Sequence, residues 1–249
     1  MRRPIMAGNW KMYKTPTETS AFFEKFRPLV AAVTGVEIVI CPPFVDIAAA
    51  AEGTRGTRIQ IGAQNLHWAK EGAFTGEVSA GMLRAAGCHW TIVAHSERRE
   101  YFHETEEIAL KKVRAALEAG LTPIYCVGER LHEREGDKTH EVLGRQLRGC
   151  VGQLTAEQFR GIVIAYEPCW AIGTGKVATP EIAAGAHFFI RRQLREHFGA
   201  EAADACRILY GGSVKPDNVQ GLMAEDEIDG ALVGGASLDA ASFAAIVNF

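Results

Sequence analysis

Short apolar, β-branched runs recur along the whole chain, and the stretches between them carry the spacing of amphipathic helices. The runs are IMAGNW from Ile5, EIVICP from Glu37, IQIGAQN from Ile59, WTIVAHS from Trp90, TPIYCVGE from Thr122, IVIAYEP from Ile162, RILYGGS from Arg207 and ALVGGAS from Ala231. Several hold three or four apolar residues in a row, which leaves no solvent-facing side and predicts strands buried on both faces. Between two of them, ETEEIALKKVRAALEAG reads as a helix capped by Thr105, with Leu110, Val113 and Leu117 on one face and Gly120 at its end. Thr179-Pro180-Glu181 has the order of a second helix start: a cap, a proline at the first helical position and an acid in the first turn.

A strand followed by a helix, repeated eight times, implies a parallel sheet, because each return to the same edge needs a crossover. Eight units in 249 residues fit the size of an α/β (β/α)8 barrel, the TIM barrel architecture. No Pro/Gly/Ser-rich linker divides the chain, so one barrel domain spanning residues 1–249 is expected. A doubly wound open sheet is the structural alternative on unit count alone. The barrel makes the sharper demand, since the ends of distant strands must meet at one mouth.

Composition changes this picture little. Hydrophobic residues are 47% and charged residues 23%, as in ordinary globular domains. A formal charge of -3, with Lys and Arg dispersed, argues against a nucleic-acid surface. No run approaches the roughly 20 apolar residues of a membrane helix, and a cytoplasmic location is expected. Cys41, Cys88, Cys126, Cys150, Cys169 and Cys206 lie far apart with no C-x-x-C pair, so neither a metal site nor a disulfide framework is expected.

Candidate chemistry sits at the strand ends. These are Asn9 and Lys11 after the first run, His95 after the fourth, Glu167 after the sixth, Gly211-Gly212-Ser213 after the seventh and Gly234-Gly235 after the eighth. Glycines after the last two strands free backbone amides to approach an anion, and Lys11 adds a full positive charge. Simple tight turning explains the glycine pairs equally well when they are taken alone. A carboxylate, an imidazole and an ammonium beside a phosphate pocket suit proton transfer next to a carbonyl without a metal or redox cofactor. Between Glu167 and Lys176, Pro168 at one side and Gly173 and Gly175 at the other have the build of a hinged lid. GTGK at Gly173 to Lys176 is not a nucleotide loop: Trp170 stands where its first glycine would fall, and Val177 replaces the final Ser or Thr.

These residues carry a resemblance to the triosephosphate isomerase family. The matching motifs are AGNWKMYK at Ala7 to Lys14, GAFTGE at Gly72 to Glu77, AHSERR at Ala94 to Arg99, AYEPCWAIGTGK at Ala165 to Lys176, YGGSVKP at Tyr210 to Pro216 and LVGGASL at Leu232 to Leu238. They run from end to end in the family's order. That enzyme is also a worked example for the acid–base chemistry of neighbouring carboxylate and imidazole groups. The resemblance implies interconversion of dihydroxyacetone phosphate and D-glyceraldehyde 3-phosphate, without a cofactor. Glu167 would be the base and His95 a neutral electrophile at a helix N-terminus.

It further implies Asn9 and Lys11 as a substrate-binding pair, and a phosphate held by N–H groups of Gly173, Ser213, Gly234 and Gly235. Glu97 would pair with or orient Lys11, and Cys126 would pack rather than react. The segment from Gln64 to Glu77 would plug a second copy of the chain in a homodimer, with Thr75 reaching toward the partner's site. Two positions depart from the family's pattern: Cys169 where Val or Leu is usual, and Ala94 where Gly is common. Two other classes stay open on the residues, namely an aldolase using a Schiff-base lysine and a phosphate-binding scaffold without turnover.

Overall fold

The structure is a computed structural model describing residues 2–172 and 178–249. Eight parallel strands close on themselves in sequence order: β1 (Ile5–Asn9), β2 (Glu37–Cys41), β3 (Ile59–Ala63), β4 (Cys88–Val93), β5 (Thr122–Val127), β6 (Val163–Tyr166), β7 (Ile208–Tyr210) and β8 (Gly230–Val233). Closure is made by β1 lying between β2 and β8, with Ile5 opposite both Glu37 and Gly230. The open-sheet alternative is thereby excluded. Every strand is followed by at least one helix before the next strand begins.

The apolar runs are buried on both faces because the barrel has two cores. Ile5, Ala7, Val39, Ile92, Ile124 and Leu209 belong to one small cluster, while the alternate residues Met6, Ile38, Ile40, Val93, Tyr125 and Ile208 belong to a much larger one with the helices. The period of two along each strand assigns its side chains alternately to the barrel interior and to the helical shell. Gly230 shows how tightly the strands approach: a Cβ there would stand 1.9 Å from the Ile5 carbonyl oxygen.

Helix signals hold at the caps and shift on one face. The Thr105 hydroxyl accepts the Ile108 N–H at 3.3 Å and opens helix Glu106–Glu118, after which Gly120 takes a φ of +72°. Thr179 caps helix Pro180–Phe198 in the same way. The stripe expected at Leu110, Val113 and Leu117 is rotated: Ala109, Lys112, Val113 and Ala116 are buried, and Leu110 and Leu117 pack at its edges. Two alanines let the helix approach the barrel closely. The Lys112 ammonium is held inside by Glu104 and by Asn65, so a charged residue lies on the buried side.

Helix Pro180–Phe198 also buries His187 completely, with Nδ1 3.1 Å from the Glu227 carbonyl oxygen and its ring edge-on to Tyr166. Burial pulls its pKa down to about 4, despite the upward pull of the Glu227 carbonyl and Asp229. In the unfolded chain the group takes a proton near 6.5, so folding loses stability as pH falls from 6.5 toward 4. Urea melts at pH 4.5 should show roughly 2–3 kcal/mol less stability from this group than at pH 7. His187→Gln should flatten that part of the dependence, and an unchanged acid-side slope in the variant would refute it.

Candidate active site

The strand ends build one mouth, and its floor starts at β1. The Trp10 N–H donates to the Cys41 carbonyl at 3.1 Å, and the Gln64 amide donates to the carbonyls of Lys11 and Cys41 at 2.8 and 2.9 Å. Lys11 is thereby held at a φ of +52°, a left-handed conformation costly for a residue with a Cβ. Its N–H donates to Asn9 Oδ1 at 3.1 Å, and Nζ donates to Glu97 Oε1 at 2.5 Å.

At the end of β4, Ala94 has a φ of +58°. This is the left-handed region that favours glycine, so an alanine here carries a steric cost. His95 follows as the cap of helix Ser96–Tyr101, its Nδ1 accepting the Glu97 N–H at 3.2 Å. An imidazole that accepts on Nδ1 carries its proton on Nε2.

Glu167 leaves the end of β6 buried, with its Oε2 accepting the Ser96 N–H at 2.8 Å. His95 Nε2 stands 2.9 Å from its Oε1, a close contact without the alignment of a full hydrogen bond. Room for this glutamate comes from glycines on both neighbouring strands. A Cβ on Gly128 would lie 1.7 Å from the Glu167 carbonyl oxygen, and one on Gly211 would lie 2.8 Å from its Cγ. The Glu167 N–H donates to the Val127 carbonyl at 2.8 Å, so its backbone is an extension of the sheet. A base mounted there is placed by rigid structure.

Electrostatics divide the pair. Burial pushes the Glu167 carboxyl pKa up, but His95, the Ser96 N–H and Lys11 together hold it below its ordinary value. For His95, burial pulls the pKa down, while the adjacent Glu167 and then Glu97 draw it net upward in the free protein. A second ring proton would have to displace the Glu97 N–H from Nδ1, which opposes that upward pull.

Asn9, Lys11, His95, Glu167, Ser213, Gly234 and Gly235 all line one cavity of about 770 Å3 at the mouth. Gly235 opens a short 3-10 turn, Gly235–Leu238, whose first amides have no partner within the turn. The loop carrying Ser213 is fixed by Asn218, whose amide donates to the Ser213 carbonyl at 3.0 Å. Gly173, expected among the phosphate-binding residues, lies outside the described residues. Glu97 stands behind Lys11 rather than on the cavity wall. Cys126 is wholly buried in the barrel interior, where burial holds its thiol far above the ordinary pKa. Thr75 is exposed on the loop after β3, away from the cavity. Among the described residues no group of metal-capable side chains could hold an ion.

The sequence profile described as Triosephosphate isomerase matches residues 4–249. The chain belongs to the triosephosphate isomerase family. It is 66% identical to the triosephosphate isomerase of Solibacter usitatus over 249 residues, covering all of both chains. Against that of Moorella thermoacetica it is 55% identical over 249 residues, covering 100% of this chain and 99% of the relative. The crystal structure of triosephosphate isomerase from Bartonella henselae superposes with a TM-score of 0.89 at 40% identity, covering 99% of this chain and 98% of that one.

Beside the family's motifs stands a buried carboxylate that sequence reasoning passed over. Glu129, at the end of β5, accepts from the Trp170 indole at 2.9 Å and the Tyr166 hydroxyl at 3.1 Å, and its own carbonyl accepts the Cys169 N–H at 3.1 Å. It ties the first turn after Glu167 to the neighbouring strand. The sequence signal was a charged residue closing an apolar run, in YCVGE.

Proposed function

We propose that Glu167 is the base and neutral His95 the electrophile in the interconversion of dihydroxyacetone phosphate and D-glyceraldehyde 3-phosphate, carried out by one barrel domain. The observation that carries this reading is the 2.9 Å approach of His95 Nε2 to Glu167 Oε1 within a cavity that also presents Lys11 and the glycine amides. A substrate oxygen entering the cavity takes the place of Oε1 at Nε2. Glu167 then leaves the Ser96 N–H and turns its carboxylate to the carbon next to the carbonyl.

The carboxylate removes a proton from that carbon, the electrons move to the carbonyl oxygen, and the resulting enediolate is stabilised by the Nε2 proton and the Lys11 charge. The proton returns to the adjacent carbon while the hydroxyl proton passes to the former carbonyl oxygen, so the hydroxyl oxygen becomes the new carbonyl and the reaction is redox-neutral overall. Backbone N–H groups of Ser213, Gly234 and Gly235 bind the phosphate, with that of Gly173 as the fourth donor. Shielding matters because an enediolate phosphate open to water loses its phosphate.

A coupled assay with D-glyceraldehyde 3-phosphate tests the reading: turnover without added metal is expected. Binding of phosphoglycolate without turnover would leave a phosphate-binding scaffold, and borohydride trapping of a substrate adduct would point to an aldolase.

A homodimer through the Gln64 to Glu77 loop is part of the same proposal. The loop has no helix or strand of its own beyond a single bridge from His67 to Ser79, and it is braced by the His67 ring against Phe74 at 4.2 Å. Phe74 is nevertheless 45% exposed, and Met12, Tyr101 and Phe102, in the segments that follow β1 and β4, are exposed more fully. Large apolar side chains left exposed in this way support an interface. Phe74→Asp should shift the protein from dimer to monomer in sedimentation velocity, and an unchanged sedimentation coefficient would remove the loop from the interface. A cytoplasmic location accords with six free cysteines, five of them buried. Among the described residues no helix is long and apolar enough to cross a membrane.

A further inference from the structure

The opposite end of the barrel holds a second cavity, of about 690 Å3, that the isomerase reaction does not use. It opens at the first residues of β2, β3 and β4, and Arg3, Arg58 and His89 are among its lining residues, with Glu37 as the acid. That acid is already shared. Glu37 Oε1 lies 2.9 Å from Arg207 Nη1 and 3.9 Å from Arg3 Nη1, so two guanidinium groups stand against one carboxylate.

Arg3 also gives its Nη2 to the Thr34 and Val36 carbonyls at 3.0 and 3.2 Å, which leaves Arg58 as the uncommitted guanidinium of the lining. Arg58 is exposed and has no hydrogen-bond or ion-pair partner among the described residues. Arg84 Nη1 stands 2.8 Å from His89 Nδ1 and also donates to the Cys88 carbonyl. With Nδ1 accepting from a guanidinium, His89 carries its ring proton on Nε2, as a further donor. Two guanidinium groups, Arg3 and Arg58, and one imidazole N–H therefore line the concave surface beside a single carboxylate, with Arg207 and Arg84 in contact with Glu37 and His89. Guanidinium groups match phosphoryl oxygens in charge and in fork geometry.

We infer that this floor cavity binds a compact anion carrying two or more phosphoryl groups. The lining offers no aromatic face to a base: Trp90 is buried, and its indole N–H is already given to Gln60. Recognition is thus of the phosphoryl chain, and a concave site of this size takes a small ligand rather than a polymer lying across a surface. The site is independent of the catalytic mouth.

The test is isothermal titration of the full chain with sodium tripolyphosphate, in the presence of saturating phosphoglycolate so that the mouth is occupied. One-to-one binding is expected, weakening as salt rises, with orthophosphate binding at least roughly tenfold more weakly. Arg58→Glu should weaken tripolyphosphate binding by roughly tenfold or more, the size expected for one charge-assisted contact. Its triose phosphate turnover should stay unchanged. Since Arg58 is exposed, the variant folds, and His89→Ala supplies a second, milder loss. Equal affinity in the wild type and Arg58→Glu would overturn the inference. So would binding that appears only when phosphoglycolate is left out.

Discussion

Replacing Glu167 by glutamine should lower turnover by roughly two to four orders of magnitude, the range for loss of a positioned general base, while the barrel stays folded. The amide keeps an oxygen to accept the Ser96 N–H, so the 2.8 Å contact that orients the side chain in the free protein survives. What it loses is the ability to take a proton. Glu167→Asp should fall about a hundredfold, since it retains the carboxylate but withdraws it by one methylene, a misplacement of about 1 Å.

The pH dependence separates a base from a structural carboxylate. Despite the upward effect of burial, Glu167 is held below the ordinary carboxyl value by His95, the Ser96 N–H and Lys11. Its ionised form therefore contributes stability that is present above the unfolded value of 4.5 and is lost as pH falls through the lower folded value. For the same reason the acid limb of kcat/KM belonging to the free base should lie below pH 4.5. Full turnover in Glu167→Gln, with melting unchanged, would end the assignment of this residue as the base.

Much of the architecture was legible because its causes are local. A run such as Ile38-Val39-Ile40 has no polar side, and only a strand covered on both faces accommodates it. Thr105 and Thr179 announce helices by supplying an oxygen where backbone N–H groups lack partners. The rotated face of helix Glu106–Glu118 was hidden because periodicity counts Lys112 as polar, whereas its burial is decided by Glu104, outside the helix, and by Asn65, distant in sequence.

The site divides along the same line. Side chains at strand ends could be picked out by chemistry, since Glu167, His95 and Lys11 are conspicuous where apolar runs stop. The Ser96 N–H that holds Glu167 could not, because every residue but proline has one. Gly128 and Gly211 look like turn residues in the sequence. Their work is to leave space beside Glu167, which only the register of β5, β6 and β7 reveals. Glu129 likewise gains meaning only when Trp170 and Tyr166 converge on it.

His95→Gln carries the second large effect, a loss of roughly a hundredfold to a thousandfold in turnover, the size seen when one preorganised donor to a developing oxyanion is removed. Glutamine offers an amide N–H of similar reach but without the fixed aim that the Glu97 N–H gives the ring, so binding of phosphoglycolate should weaken far less than turnover. A split of that kind means that the contact strengthens as charge develops on the substrate oxygen. The charge state of the ring is the finer point. In the free protein, burial pulls the imidazole pKa down and the Glu167 carboxylate draws it up. Ligand in the cavity separates the two, which removes the principal upward pull, while the Glu97 N–H on Nδ1 and the helix start continue to resist a second proton. Nitrogen-15 spectra of the phosphoglycolate complex should therefore show a neutral ring, unprotonated at Nδ1, across neutral pH. An imidazolium signal at pH 7 in that complex would mean that His95 works as a cation, and the electrophile would have to be rewritten as a general acid that gives its proton away.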